Sequence, residues 1–203
     1  LDWLAAEFVA GGWSVKKIDR LIVTSSAYMQ SAAHDASKAA IDGDNRFYWR
    51  MNRRRLDGEA LRDAMLTASG LLNPKRGGRG VLTPIEPEIY DIIFTEGEPD
   101  NLWPLPKDRS EIYRKSIYLL NKRTVRLPLL SNFGQPDAMS SCPGRPVGTH
   151  ALQALSLFNS EFAIEQARAL AERARKACGG KEDACAVDAA TRFALQRGAT
   201  PAE

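Results

Sequence analysis

Apolar positions recur at helical spacing at both ends of the chain and lose their periodicity in between. Leu1, Leu4, Ala5, Phe8 and Val9 follow the i, i+3, i+4, i+7, i+8 pattern of an amphipathic helix, which Gly11 and Gly12 end. Ser14 suits the N-cap of a second helix reaching about Tyr28, with Val15, Ile18, Leu21 and Ile22 on its apolar side. Residues 31–45 are small and polar and predict a loop. Asp44 is then placed to cap a long helix that continues to about Leu72. Helical spacing returns near 150–158, 160–177 and 183–196.

Six prolines (Pro74, Pro84, Pro87, Pro99, Pro104 and Pro106) break the stretch 73–109, and a second Gly/Pro-rich loop covers 134–148. Short β signals are confined to 117–120 and to Thr124–Leu127, enough for a small hairpin at most. The expected fold is mainly α: one domain over 1–203, with a helical core of 1–72 and 150–197 and an irregular excursion over 73–149. The chain opens inside a helical pattern and closes on Arg197, Gly198, Ala199, Thr200, Pro201, Ala202 and Glu203. We read it as part of a longer protein.

Composition changes this picture little. A length of 203 residues, 44% hydrophobic and 26% charged, suits a globular domain able to bury a core. The net charge of +3 (28 basic, 25 acidic) is too small to argue for nucleic acid. No apolar run approaches the roughly 20 residues that span a bilayer.

The densest chemistry lies between Met51 and Asp63. On a continuous helix, Arg54, Asp57 and Gly58 share the side of Leu61, Met65, Ala68 and Leu72. Arg54 is therefore expected to be partly buried, with Asp57 as its counter-charge, because an unpaired buried guanidinium costs several kcal/mol. Arg55, Glu59 and Arg62 form a charge ladder on another face. Arg54, Asp57, Glu59 and Asp63 are the expected ion network; Arg53, Arg54, Arg55 and Arg62 are the candidates for holding an anion or polyanion.

Other chemistry is sparser. Cys178 and Cys185 flank a Gly179-Gly180 turn between two helices, where they either form a disulfide or pack as small apolar residues. Zinc is not expected, since no second Cys or His pair accompanies them. Cys142 would then be unpaired; with His150, eight residues on, it makes a conceivable thiol–imidazole pair, though Cys142 precedes a proline and lacks an evident oxyanion donor. His34 and His150 read as ordinary hydrogen-bonding histidines. Carboxylates for glycosidase-type chemistry could come from Asp57, Glu59, Asp63, Glu86 or Glu88, and a sugar-stacking surface from Trp49, Trp103, Tyr113 and Tyr118. The basic glycine-rich run Lys75, Arg76, Gly77, Gly78, Arg79, Gly80 follows a helix and precedes prolines, so it predicts a mobile loop rather than a phosphate cradle.

Several stretches together resemble one family. They are 1–8 with Gly12-Trp13-Ser14, 20–28, Asn45-Arg46, and Trp49-Arg50-Met51-Asn52-Arg53-Arg54-Arg55-Leu56-Asp57. Further along come Arg62-Asp63, Ser69-Gly70, Arg114-Lys115-Ser116-Ile117-Tyr118-Leu119, Phe133 with Pro136-Asp137, Gln153-Ala154-Leu155, Phe158-Asn159 and 194–203. In order and spacing these resemble the planctomycete-type C-terminal domain of unknown function, the PSD family. Its usual Thr-x-Pro-x-Gln-Ala-Leu run is here Thr149-His150-Ala151-Leu152-Gln153-Ala154-Leu155, without the proline. The resemblance implies an exported, periplasmic or cell-surface protein with a cytochrome c-like domain beside this one. Haem c would sit on that neighbour, since no Cys-x-x-Cys-His occurs here. The expected role is a packing or docking module; the alternatives are part of an enzyme acting on an extracellular polymer such as a polysaccharide, or a polyanion- or ligand-binding domain.

Overall fold

The computed structural model describes residues 1–87, 90, 102–123, 125–145, 147–180 and 183–203. The chain divides into two compact units, Leu1–Arg55 and Leu56–Glu203.

In the first unit α1 (Asp2–Ala10) packs on α2 (Val15–Val23), and α3 (Ala36–Ile41) follows. The α1–α2 turn is fixed by Trp13 in a left-handed conformation (φ 59°), its ring edge-on to Phe8 with centroids 5.3 Å apart. Asp35 accepts from the amides of Ser37 and Lys38 and so starts α3. After α3 the backbone is organised by buried polar side chains. Asp42 accepts from the amides of Arg46 (2.9 Å) and Phe47 (2.8 Å), and its carbonyl accepts from Trp49 Nε1 (2.8 Å). Asn45 Nδ2 donates to the Arg50 carbonyl and to Asn52 Oδ1, both at 2.9 Å. Among the described residues of this unit the buried ones are Asp42 and Asn45, with no apolar side chain.

The long arginine helix expected over 44–72 does not form. Asn45 and Tyr48 adopt positive φ (56° and 52°), incompatible with a helix, and 51–57 has no helical structure. The helix, α4, spans Gly58–Ser69. Asp57, expected in mid-helix, is its N-cap and accepts from the Ala60 amide at 2.9 Å. Gly70 (φ 82°) ends it. The position of Gly58 is tight: a Cβ there would lie 2.8 Å from Leu130 Cα.

The second unit is built on α4. Two 3-10 turns, Arg109–Tyr113 and Ser116–Tyr118, precede α5 (Pro128–Asn132), α6 (Ala151–Asn159), α7 (Glu161–Ala177) and α8 (Asp183–Leu195). α4 packs against α5, α7, α8 and the second 3-10 turn; α7 lies against α6 and α8. Leu66 and Ala174 are fully buried, and Leu82, Trp103 and Val125 make a further apolar cluster. Arg173 on α7 donates to the carbonyls of Thr67 (2.8 Å) and Ala68 (2.7 Å), satisfying the end of α4, and lies 3.9 Å from the Phe193 ring centroid.

The mainly α fold is as expected. So is the limit of a small hairpin at most: among the described residues no strand forms, 116–118 is a 3-10 turn, and the following Leu119 makes an isolated parallel bridge to Val81. Thr124, the expected start of the second strand, lies outside the described residues.

Cys178 and Cys185 are joined, with Cα atoms 6.0 Å apart. Of the two readings of this pair, the disulfide is the one realised, and it ties the end of α7 to the start of α8. Closing so short a loop stabilises by about 2–3 kcal/mol in the chain-entropy account. Reduction is therefore expected to lower the unfolding free energy by about that amount, read from urea titrations with and without reductant. A loss below about 0.5 kcal/mol would mean the helical hairpin closes unaided. Cys142, exposed and free, should alkylate in the native protein while the other two do not.

Candidate functional site

The sequence-predicted site residues fall into three groups. Arg53, Arg54 and Arg55 sit exposed in the non-helical stretch that ends the first unit, so Arg54 does not have the partial burial expected of it. Asp57 and Glu59 are brought together with a residue outside the expected set. Arg145, from the 134–148 loop, forks onto Glu59 (2.6 and 3.1 Å) and reaches Asp57 at 3.4 Å. Both carboxylates hold the Arg145 guanidinium above its ordinary pKa, the bond to Glu59 contributing most. The pair is half-exposed, so its contribution to stability is small.

Arg62 and Asp63 form the third group. Arg62, placed by its ladder on a face other than the apolar stripe, is 4% exposed. Its Nη1 donates to the Arg114 carbonyl (2.8 Å) and Ser116 Oγ (3.2 Å), its Nη2 to the Ile112 carbonyl (2.6 Å). Asp63 Oδ1 lies 3.8 Å from Arg62 and accepts from the Ser116 amide and hydroxyl, both at 2.7 Å. Burial pushes Arg62 down to about 10, which leaves it charged at neutral pH. The buried cation of this region is thus Arg62, and its acceptors are mostly main-chain carbonyls of the two 3-10 turns.

A second buried guanidinium was not singled out by the sequence. Arg114, 1% exposed, stacks on Tyr118 with 4.0 Å to the ring centroid. It donates to the carbonyls of Lys75, Gly77 and Arg79 and to Glu111. The glycine-rich run 75–80 is therefore wrapped around an internal cation, and the Gly77 amide donates to Tyr118 Oη at 3.0 Å. These carbonyls face a cation, the opposite of the amide-lined geometry that cradles a phosphate.

Tyr113 Oη donates to Glu165 at 2.5 Å, and Ser69 Oγ donates to Gln166 at 2.7 Å, joining 3-10 turn, α4 and α7. Burial, then the bond to Glu165, pushes Tyr113 up to about 12. A hydroxyl whose folded pKa exceeds its unfolded value stabilises fully below about pH 10, and that contribution is lost as pH rises towards 12. Arg62, lowered to about 10, acts with the opposite sign in the same window, so two proteins must be compared. Stability of the native sequence is expected to fall more steeply between these pH values than that of Tyr113→Phe. Equal slopes would show the hydroxyl to be uncoupled from folding.

The remaining candidates are dispersed. His34 packs edge-on to Trp49, and His150 is the exposed residue before α6 without a side-chain cap bond. The exposed Cys142 thiol donates to the Gly144 carbonyl at 3.1 Å. Trp103 is buried, and Tyr118 presents its face to Arg114, so neither is available to stack on a sugar. Glu88 lies outside the described residues. Among these, no group of His, Cys, Asp and Glu side chains is arranged to hold a metal ion, and no helix is long and apolar enough to cross a membrane.

Two cavities flank the Arg62 network. One, of about 500 Å³, includes Asp57, Glu59, Asp63, Gln135 and Arg145 in its wall. The other, of about 650 Å³, lies between α7, the 3-10 turn at 109–113 and the start of α5.

A family profile described as PSD1, protein of unknown function (DUF1553), matches residues 1–203. The chain belongs to the PSD1 family. No curated protein and no solved structure matches it. The family is the one its motifs resemble, and those motifs have a physical meaning in this PSD1 chain. Arg62-Asp63, Ser69-Gly70 and 114–119 hold the buried guanidinium network and the end of α4; Asn45 organises the turn after α3; Gln153 is buried, donating to the carbonyls of Asn132 and Gly148. Arg114 could have been found by that signal. Arg145, Tyr113 and Glu165 carry no sequence signal of their roles, because each is paired across 52 or more positions.

Proposed function

We propose that this PSD1 chain is a packing and docking module of a larger exported protein that also carries a cytochrome c-like domain. The observation that carries the reading is the apolar surface of the first unit. Trp3, Val9, Trp13, Val15, Leu21 and Ile22 are all exposed on α1, α2 and the turn between them. So much apolar surface on two short helices marks an interaction face. The neighbouring cytochrome c-like domain that the family resemblance implies is the occupant we assign to it. The carboxylates around the arginine cluster support the same reading: Asp57 caps a helix, Glu59 binds Arg145 and Asp63 binds Ser116, all structural uses. The Cys178–Cys185 bond accords with an oxidising, exported setting.

The test is a calorimetric titration of this chain with the separately produced haem domain of its parent protein. Binding that is abolished by Leu21→Glu/Ile22→Glu supports docking through α2. No heat of binding, or a double variant that binds as well as the native chain, refutes it.

A further inference from the structure

We propose that the cavity at the N-terminus of α7 binds a small organic acid with an apolar body, its carboxylate seated against Arg62. This goes beyond the docking reading and stands independently of it, since all its residues belong to the second unit.

The cavity holds about 650 Å³, within the range of small-molecule sites. Ile85, Leu127, Pro128, Leu129, Leu155 and Phe162 give it an apolar lining. Arg62 is the buried charge in that lining. Its three acceptors besides Asp63 are neutral, and Asp63 stands 3.8 Å away with Oδ1 already bonded twice to Ser116. Positive charge is therefore incompletely compensated in a desolvated place, where an arriving carboxylate gains most. Nη2 donates once, to the Ile112 carbonyl, and its second hydrogen is left for a guest.

A second feature converges on the same space. Ser160, Glu161 and Phe162, the cap and first turn of the 17-residue α7, also line the cavity. The positive end of that helix favours a bound anion. Glu165, the half-buried acid in the wall, already accepts from Tyr113 and Gln166. Arg109, Arg168, Glu86 and Glu161 are exposed, two of each sign, and offset one another. Arg62 is the inward cation, the oxygens of Glu165 are occupied by Tyr113 and Gln166, and the apolar part of the lining suits a monocarboxylate with an aliphatic or aryl body.

The probe is octanoate, titrated calorimetrically into the 203-residue chain beside octanol and octylamine. Octanoate should bind roughly tenfold or more tightly than octanol, the worth of one charge-assisted contact, and octylamine should bind more weakly still. Leu155→Trp, which adds bulk to the α6 wall of the cavity at a half-exposed position away from the Arg62 hydrogen bonds, should weaken octanoate binding about tenfold or more while the helical circular dichroism is unchanged. Absence of octanoate binding, equal affinity for octanol, or undiminished binding by the tryptophan variant overturns the proposal.

Discussion

Replacing Arg62 with methionine is expected to destabilise the second unit by about 3–5 kcal/mol, the usual cost of removing one side of a buried charged network. Methionine retains much of the stem and its packing, so the loss comes from hydrogen bonds. The carbonyls of Ile112 and Arg114 would be left buried without a donor, at about 1–3 kcal/mol each. Buried ion pairs can often be exchanged for hydrocarbon at no cost, but only when both partners are exchanged. Here the partners are mostly main chain and cannot be removed. Arg62→Lys should fall between, because a single ammonium cannot fork to acceptors on two turns. Chemical denaturation reads the difference. A loss under about 1 kcal/mol for the methionine variant would show that the 3-10 turns hold without the guanidinium.

Arg114→Ala should cost a similar amount, about 3 kcal/mol or more, and should add a local signature. Its guanidinium collects three carbonyls of the 75–80 run and covers the Tyr118 face. The buried Nε of Arg114 lacks a partner among the described residues, which lowers the net gain without removing it. Without the cation those carbonyls turn to water and the run opens. Trypsin should then cut after Arg76 and Arg79 early, before the helices are lost. Since the alanine variant can unfold altogether, Tyr118→Leu serves beside it. That change removes the stack and the hydroxyl that accepts from Gly77, while Arg114 remains. It should speed cleavage at the same two sites with an intact helical spectrum. Native cleavage rates in both variants would mean that the glycine-rich run is ordered by something other than Arg114.

The helical ends of the chain were legible because their signals are local. α1, α6, α7 and α8 follow apolar periodicity and punctuation by Gly, Ser and Asn, all within a few residues of each element. The stripe Leu61, Met65 and Ala68 is also real, since it belongs to α4. Extending that helix back through the arginines failed for an identifiable reason. Asp57 is as good an N-cap as it is a mid-helix counter-ion, and Asn45 tolerates positive φ, so the string permits either conformation. The pairing of Cys178 with Cys185 was one of two readings left open, and a turn of that length brings the sulfurs together without distant help.

Sequence by itself therefore determined the family, the mainly α class, and the argument that a guanidinium sunk in this domain must find acceptors. Tertiary structure alone decided which guanidinium that is. The acceptors of Arg62 lie 50 to 54 positions away, on 3-10 turns in a segment without periodicity. Helical phase can rank the faces of one helix. It carries no information about carbonyls delivered from across the fold, and those carbonyls bury Arg62 while Arg54 stays in water.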